Sequence, residues 1–253
     1  MSNTLKLGNG KWATGKDTLL SFSDTNNNYK PLPFSFSRAS SGTVINKDGL
    51  IETVGSGEPR IDFKDNTKGA LLLEPQRSNL VTYSEDLTQW SNLFYTLVES
   101  NSTLSPDGNV NADKLVAGAT NGLQLRIAPL SLTSGNTYTF STYVKNSGGN
   151  YVILYINDSS SQGMKVDLVN ETFVIMGSAT NQFIKNFGNG WYQIGFTRTI
   201  DANVSGLNTV ASLDGNNVSF LGDGVNGVYL WGAQAEQGSY ATSYIPTSGS
   251  AVT

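Results

Sequence analysis

Short runs of alternating apolar and polar residues dominate the chain after residue 90. In "GWYQIGFTRTI" the alternation puts one set of residues on a single face: Tyr192, Ile194, Phe196, Arg198 and Ile200. The stretch "NTYTFSTYVK" follows the same pattern, whereas "YVILYIND" is continuously apolar, which is typical of a central strand. Gly, Asn and Ser separate the runs about every 10–15 residues, and this spacing predicts an all-β fold, either a β-sandwich or a jelly roll.

Three local signals precede this region. "GTVINKDGLIETV" predicts a β-hairpin, with apolar residues on both sides of an Asn-Lys-Asp-Gly turn. "GALLLEP" is an apolar run between Gly and Pro and predicts a short buried strand. "SEDLTQW" (84–90) predicts one short helix with Ser84 as its N-cap and acidic residues in its first turn.

These patterns divide the chain into three segments. Residues 1–37 form a polar, irregular N-terminal arm with prolines that interrupt helices and central strands. Residues 38–77 form the β-hairpin region, which we expect to pack on the body, and residues 78–253 form the jelly-roll β-sandwich body. Aromatic residues of the arm either cover the chain's own core or dock onto a neighbouring protein: Trp12, Phe22, Phe34 and Phe36. We predict that the arm is an anchoring and assembly segment.

The residue types that are missing exclude most kinds of catalytic chemistry. The chain has no Cys, and therefore no disulfide, thiolate nucleophile or zinc–thiolate site. It has no His, which removes the imidazole base, the Ser–His pair and the usual transition-metal ligand. What remains is chemistry based on carboxylates, Lys, Tyr or a hard cation held by oxygen atoms.

The charge distribution argues against nucleic acids and membranes as partners. The net charge is −4, and the 16 Lys and Arg residues are scattered, without the basic patch that binds phosphates. No apolar stretch approaches the ~20 residues needed to span a bilayer. Residues 1–10 lack the apolar core of a secretory signal, so we expect the protein to remain where it is made or to leave inside an assembly.

Two carboxylates are candidates for enzymatic activity. Glycoside hydrolysis needs two carboxylates that face each other across a groove. Glu74 and Glu236 each lie in or beside an apolar strand, where burial would raise the pKa of a carboxyl group. Structural hydrogen bonding or exposure to solvent explains each of them equally well.

The last apolar run, "GVYLWGAQAEQ", predicts a final strand with two distinct faces. Strict alternation assigns the more apolar face to the core, with Tyr229, Trp231, Ala233 and Ala235. The opposite face then carries Val228, Leu230, Gly232 and Gln234, with Glu236 in the same register. This predicts that Glu236 is a surface or loop-linking group and not a catalyst.

Three loops contain Gly and Asp in patterns that partly match ligand-binding motifs. "GDGVNG" matches G-x-G-x-x-G, but a strand-like "VYLWGAQ" follows it, so we interpret it as a β-turn and not as a dinucleotide site. "SPDGNVNAD" (105–113) and "DGNN" (214–217) offer oxygen ligands without the spacing of a known calcium loop. Ordinary turns explain both, so a structural calcium ion stays an unassigned alternative, and we predict no other cofactor.

The aromatic and amide content supplies the materials of a glycan-binding site. Exposed Trp or Tyr rings stack on sugars, and Asn, Gln and Asp bond to sugar hydroxyls. Aromatic residues of a β-sandwich are otherwise core residues. The side chains considered for glycan or partner contact are Trp12, Tyr29, Tyr155, Tyr240 and Tyr244.

Four longer stretches, taken together, resemble a module of tailed-bacteriophage virion proteins. They are "FSRASSGTVINKDGLIETVGSGEPRIDF", "GALLLEPQRSNLVTYSEDLTQW", "NFGNGWYQIGFTRT" and "GVYLWGAQAEQGSYATSYIPTSGSAVT". "SPDGNVNADKL" and "NTYTFSTYVK" also fit in order, so the resemblance covers nearly everything after Phe34. The opening "LKLGNGKWATGKDTLLSFSD" is similar to the head of fibre proteins in phages of gut and marine Bacteroidetes, including crAss-like phages.

The resemblance implies a jelly-roll domain akin to carbohydrate-binding modules, as found in head fibres, tail fibres and spikes. It implies a homo-oligomer, a dimer or trimer, that contacts other virion proteins. The motif positions imply roles in defining the fold: Glu74, Pro75, Arg77, Asn79, Trp90, Gly190, Trp191, Trp231 and Gly232. The chain departs from the pattern at Ala235, where many relatives carry Leu, and many relatives continue beyond "SGSAVT" into further domains.

We therefore expect a non-enzymatic structural component of a virion, a head-fibre or tail-fibre subunit that docks through residues 1–37. A glycan-binding adhesin that contacts host surface polysaccharide is the alternative. A carboxylate-dependent glycosidase is the least favoured hypothesis.

Overall fold

The computed structural model describes residues 37–92, 94–215 and 217–253, together with the backbone of four short strands between residues 3 and 31. The secondary structure of these residues consists of strands and one 3₁₀ turn. The protein is therefore all-β, as the sequence pattern predicts. Within the described residues, no helix is long and apolar enough to cross a membrane.

The smaller of two compact units consists of residues 1–76 with 242–244 and 253. Its described strands are β1 (Asn3–Leu5), β2 (Trp12–Ala13), β3 (Ser21–Ser23), β4 (Tyr29–Pro31), β5 (Gly42–Ile45), β6 (Ile51–Val54), β7 (Ile61–Asp62) and β8 (Ala70–Leu73). Strand β8 lies between β1 and β7, strands β2, β3 and β4 form a second sheet, and β5 pairs with β6. The predicted irregular arm thus contains four short strands. Because β1 pairs with β8, the arm and the hairpin region belong to one unit.

The predicted hairpin forms from β5 and β6 around the expected turn. The side-chain oxygen of Asn46 accepts hydrogen bonds from the backbone amides of Asp48 and Leu50, at 2.9 and 3.0 Å. Gly49 has φ +80°, a left-handed conformation that a residue without Cβ adopts readily. The residues of this turn therefore explain it without help from the rest of the chain.

The larger unit consists of residues 77–241 with 245–252. Its strands are β9 (Leu97–Leu104), β10 (Val110–Val116), β11 (Gly122–Leu123), β12 (Leu125–Leu132), β13 (Thr137–Ser147), β14 (Tyr151–Asn157), β15 (Ser161–Asp167), β16 (Thr172–Met176), β17 (Thr180–Gly188), β18 (Trp191–Thr199), β19 (Val204–Ser212), β20 (Ser219–Phe220) and β21 (Gly227–Gln237). A six-stranded sheet has the order β17-β18-β13-β21-β10-β9, and a five-stranded sheet has the order β12-β19-β14-β15-β16. Neighbouring strands in both sheets are antiparallel.

One hydrophobic core, the main core, takes its residues from both sheets. Phe140 and Phe196 of the six-stranded sheet are fully buried and their rings stack with centroids 4.9 Å apart. Leu154 and Met164 of the five-stranded sheet belong to the same core. The predicted alternation of β18 is confirmed, since Ile194 and Phe196 are core residues, and β14 is central, between β15 and β19. Two antiparallel sheets around one core form a β-sandwich of the jelly-roll type.

The five-stranded sheet also carries apolar residues on its other face. A smaller cluster, the outer cluster, consists of Leu125, Ile153, Tyr155 and Val210, with partly buried residues such as Phe220 packed against it. Strands β11 and β20 pair with each other and bring Leu123 and Phe220 to this cluster. Because "YVILYIND" is buried on both faces, its residues show no alternation of apolar and polar types.

The predicted helix over 84–90 is wrong. The chain forms only a 3₁₀ turn, Leu87–Gln89, and the N-cap is Asp86, whose side chain accepts from the amide of Thr88. Ser84 is fully buried, and its hydroxyl accepts a hydrogen bond of 2.8 Å from the amide of Thr247. A contact between residues far apart in the chain therefore uses the side chain that the local pattern assigned to a cap.

Candidate functional site

The closing strand, β21, changes face at Gly232. Ser141 of β13 lies opposite Gln234 and Tyr143 lies opposite Trp231, so Gly232 and Ala233 together oppose one residue. This is a β-bulge, and Gly232 has φ +63°, which favours glycine. A bulge shifts the alternation by one residue, so the face that each side chain occupies changes there.

The bulge corrects the predicted faces of β21. Val228 and Leu230 belong to the main core before the bulge, and Ala233 and Ala235 belong to it afterwards. Trp231 lies on the opposite face, where its ring is 5.5 Å from that of Tyr143. The strict alternation was therefore wrong before Gly232 and correct after it.

Glu236 is also corrected, because it is fully buried and not at the surface. Its carboxylate accepts a hydrogen bond of 2.8 Å from the side-chain amide of Gln234. Its Oε2 atom lies 3.9 Å from Nε of Arg77, which completes a salt bridge. The side-chain oxygen of Gln234 accepts from the amide of Ile245 at 2.7 Å. From this buried position Glu236 connects β21 to the segment that carries Arg77.

Asn79 uses all the hydrogen-bonding capacity of its side-chain amide, and it is fully buried. Its nitrogen donates to the carbonyl oxygens of Ala233 and Ile245, at 3.0 and 2.8 Å. Its oxygen accepts from the amides of Val81 and Ala235, both at 3.1 Å. One side chain thereby joins the end of β21 to the segment around Ile245 and to the chain that leads into the sandwich.

Glu74, the other candidate carboxylate, belongs to the smaller unit. It accepts from Nη1 of Arg60 at 2.8 Å. It also accepts from the backbone amide and the hydroxyl of Ser243, at 2.9 and 2.7 Å. Both predicted carboxylates are thus engaged by donors that hold distant segments together. Their contacts are those of structural carboxylates.

Two tryptophans of the motif positions, Trp90 and Trp191, are buried and donate from their ring nitrogens to backbone oxygens. Trp90 donates to the carbonyl of Tyr83 at 2.8 Å, and Trp191 donates to that of Leu104 at 3.1 Å. Each hydrogen bond joins the ring to a residue elsewhere in the chain, seven positions away for Trp90 and 87 positions away for Trp191. Gly190, immediately before Trp191, has φ +79°, so the turn into β18 requires a glycine or a strained residue.

The loops considered for calcium are organised by hydrogen bonds to aspartates. Asp214 of "DGNN" accepts the backbone amide of Asn217 on Oδ1 at 3.3 Å and the side-chain amide of Asn217 on Oδ2 at 3.0 Å. The same Asp-x-x-Asn arrangement recurs with Asp167 and with Asp223, which lies in the predicted β-turn. These donors occupy the oxygens that a cation would need. Among the described residues, no group of three or more acidic side chains is placed to hold a metal ion.

Asp107 and Asp113, both in the stretch 105–113, have opposite environments. Burial alone would raise the pKa of Asp107, but hydrogen bonds from Ser105, Asn109 and Asn111 outweigh it and lower the pKa. Burial raises the pKa of Asp113, although the amides of Asn101 and Leu87 donate to its carboxylate and oppose the shift. Each carboxylate therefore accepts hydrogen bonds that hold the surrounding chain in place.

We expect Asp107→Ala to lower the free energy of unfolding by about 1 kcal/mol near neutral pH, the usual contribution of such hydrogen bonds. Because the folded pKa of Asp107 is depressed, its stabilisation is complete above the unfolded pKa and is lost as the pH falls through the folded value. The difference between variant and wild type should therefore shrink toward about pH 3 in urea titrations. The control Glu99→Ala removes an exposed carboxylate and should change little at either pH. A difference that grows in acid would contradict the assignment.

The predicted glycan-contact residues do not form one described cluster. Tyr155 is 5% exposed within the outer cluster and Tyr244 is 4% exposed, so neither presents a ring face to a ligand, which corrects their predicted role. Tyr240 is partly buried and lies 5.7 Å from the guanidinium carbon of Arg77. The side chains of Trp12 and Tyr29 lie outside the described residues.

Sequence reasoning missed two further charged residues that are buried in the sandwich. Asp158 is fully buried, and its Oδ2 accepts from Nε of Arg198 at 2.9 Å and from the amide of Asp201 at 3.1 Å. Arg126 is 6% exposed and donates to the carbonyl of Trp90 at 3.2 Å, and its burial lowers its pKa. Arg126 interrupts an apolar run, which is the one local signal that could have marked either residue.

The described fold defines the class, an all-β protein whose larger unit is a jelly-roll sandwich. No family model matches the chain, and no curated protein matches it. One similar solved structure is that of the CBM22-1–GH10 modules of endo-1,4-β-D-xylanase 10B from Clostridium thermocellum, complexed with xylohexaose. The identity is 14% and the TM-score is 0.32, over 67% of this chain and 29% of the xylanase chain. The match thus spans less than a third of that protein.

Proposed function

We propose that the chain is a non-enzymatic structural component of a bacteriophage virion, a head-fibre or tail-fibre subunit. It docks on other virion proteins through its N-terminal segment and displays the jelly-roll unit. The observation that carries the proposal is the role of the motif residues through which the sequence resembles virion proteins. Trp90, Trp191 and Asn79 are buried and bond to the backbone, and Gly232 forms the bulge.

These contacts support the proposal because they give the shared motifs a physical purpose. A motif that defines a catalytic site would converge on a cleft, with side-chain atoms directed at a substrate. The motif residues of this chain instead hold strands and closing segments in place, as Asn79 does at Ala233, Ile245 and Ala235. Glu74 and Glu236 are engaged in the same manner. A rigid, displayed scaffold is what a fibre subunit requires.

Binding to host glycans is the alternative function, and it has weaker support. Stacking on a sugar needs exposed aromatic faces beside amides. Tyr155 and Tyr244 are buried. In the described part of the chain, the aromatic side chains with large exposed areas are Tyr95 and Phe173, at 50% and 40%. A glycan array probed with the purified protein tests this alternative, and binding that is lost on Tyr240→Ala would favour it over a purely structural role.

The proposal is tested on purified particles of the phage that encodes the chain. Antibodies raised against the protein should label intact virions in immunogold electron microscopy, and the label should mark its position on head or tail. Removal of residues 1–37 should abolish incorporation while the circular-dichroism spectrum of the purified protein keeps its β signal. Absence of the full-length chain from purified particles would overturn the virion assignment. Normal incorporation of the shortened chain would overturn the docking role of the segment.

A further inference from the structure

Strand β16 is an edge strand with an unusual exposed apolar surface. It is the last strand of the five-stranded sheet, and of its two long sides only the one facing β15 is paired in the described structure. Phe173, Val174 and Ile175 are 40%, 65% and 52% exposed. Edge strands of this kind present unpaired backbone groups that readily pair with another strand.

The other three edges of the sandwich carry features that hinder such pairing. Strand β12 contains Pro129, and Ser91 forms a bridge with its Ile127. Strand β9 contains Glu99 and pairs irregularly with β10. Strand β17 contains Lys185 and has two irregularities in its pairing with β18. Charges, prolines and bulges are the usual means by which proteins protect edges.

Strand β16 has none of these features. Its sequence, "TFVIM", contains no charged residue and no proline, and its register with β15 is regular from Thr172 to Met176. Three of its five residues are β-branched, which favours an extended conformation. Uncharged segments with these properties are the ones that form new strand pairs when exposed.

We infer that β16 pairs antiparallel with β16 of a second copy of the chain, around a two-fold axis at Val174. In this register Val174 lies opposite its counterpart, Phe173 lies opposite Ile175, and Thr172 lies opposite Met176. The strand is thus complementary to itself, which an isologous dimer requires. The two five-stranded sheets join into one sheet of ten strands.

The side chains around the axis fit a second copy. Phe173 and Ile175 lie opposite Val166 and Met164 of β15, which are core residues, so in the dimer the apolar rims of two main cores meet. Val174 lies on the other face, opposite Lys165 of β15. Glu171, just before the strand, lies opposite Gly177 of the second copy and is held by the hydroxyl of Tyr192 at 3.0 Å. The register therefore brings no like charges together along the paired strands.

The experiment measures oligomeric state by light scattering and sedimentation over a range of concentrations. The wild-type protein should dimerise, and amide hydrogen exchange in β16 should slow as the dimer forms. Val174→Lys should lose the dimer, because two ammonium groups would face each other across the axis. Val225→Lys is the matched control, since Val225 is 64% exposed in a turn, and it should dimerise as the wild type does. Circular-dichroism spectra like that of the wild type and cooperative thermal unfolding would show that both variants fold, although loss of the dimer lowers the melting temperature of Val174→Lys.

A charge-reversal pair tests the register itself. An equimolar mixture of Val174→Lys and Val174→Glu should form the heterodimer in preference to either homodimer, since opposite charges then face each other across the axis. A monomeric wild type, or an oligomer of any size that survives Val174→Lys unchanged, would overturn the inference. A Lys–Glu mixture that stays monomeric would overturn the proposed register. The inference concerns β16 alone and does not rest on the virion assignment.

Discussion

Asn79→Ala is expected to lower the free energy of unfolding of the larger unit by about 4 kcal/mol or more. The substitution leaves four backbone groups without this partner, three of them buried and one partly buried, and each buried group costs roughly 1–3 kcal/mol. The groups are the carbonyls of Ala233 and Ile245 and the amides of Val81 and Ala235. Urea denaturation followed by tryptophan fluorescence measures the loss, because Trp90, Trp191 and Trp231 all lie in the same unit.

The control for Asn79→Ala is Asn92→Ala, which removes the same amide from an exposed position. Substitutions of this kind usually change stability by no more than about 0.5 kcal/mol. Asn79→Asp adds a second test, since a carboxylate keeps two acceptors but cannot donate to Ala233 and Ile245. It should remain strongly destabilised. An Asn79→Ala protein within about 1 kcal/mol of the wild type would show that water replaces the side chain.

The fold was predictable wherever a structural signal is local. The hairpin turn needs only Asn46 and Gly49, and the Asp223 turn needs only an aspartate with an asparagine three residues later. Strand β18 was predictable because its two faces differ in polarity. Strand β21 was not, because Val228, Leu230, Trp231, Ala233 and Ala235 are all apolar. Because apolar residues occupy both odd and even positions of β21, the alternation of residue types does not reveal where a bulge changes the register.

The candidate site was less predictable because its contacts join residues that are far apart in the sequence. Asn79 and Ala233 are separated by 154 positions, and Glu74 and Ser243 by 169. A glutamate in an apolar strand fits a buried catalyst or a structural carboxylate equally well until its partner is known. The role of Ser84 was misassigned for the same reason, since Thr247 is the residue that donates to it.

The number of aromatic residues in the sequence did not predict which aromatic rings are exposed to solvent. Tyr155 lies in a strand whose two faces are both buried, so no polar alternation distinguishes an outward ring from a core ring. The exposed apolar residues of β16 were not predicted, because a four-residue apolar run such as "FVIM" looks the same in a central strand and at an edge. Strand order determines that difference, and strand order depends on the whole fold.

Asp158→Ala is expected to lower the free energy of unfolding by about 3 kcal/mol, because removing one partner leaves a buried charge less compensated. Asp158 follows β14 of one sheet and bonds to Arg198 on β18 of the other, so the pair connects the two sheets. The side chains of Asp158 and Arg198 are 0% and 10% exposed. The loss is measured by urea denaturation beside the wild type.

Asp201→Ala provides the matched control on the same arginine. Asp201 also forms a salt bridge with Arg198, but its side chain is 59% exposed, so its removal should cost less than about 1 kcal/mol. Equal losses for the two aspartates would contradict the role of burial. The double variant Asp158→Ala, Arg198→Met separates charge from packing, since it removes the buried guanidinium that Asp158→Ala leaves behind. It should be more stable than Asp158→Ala alone if the cost arises from the uncompensated charge, and less stable if the cost arises from lost contacts.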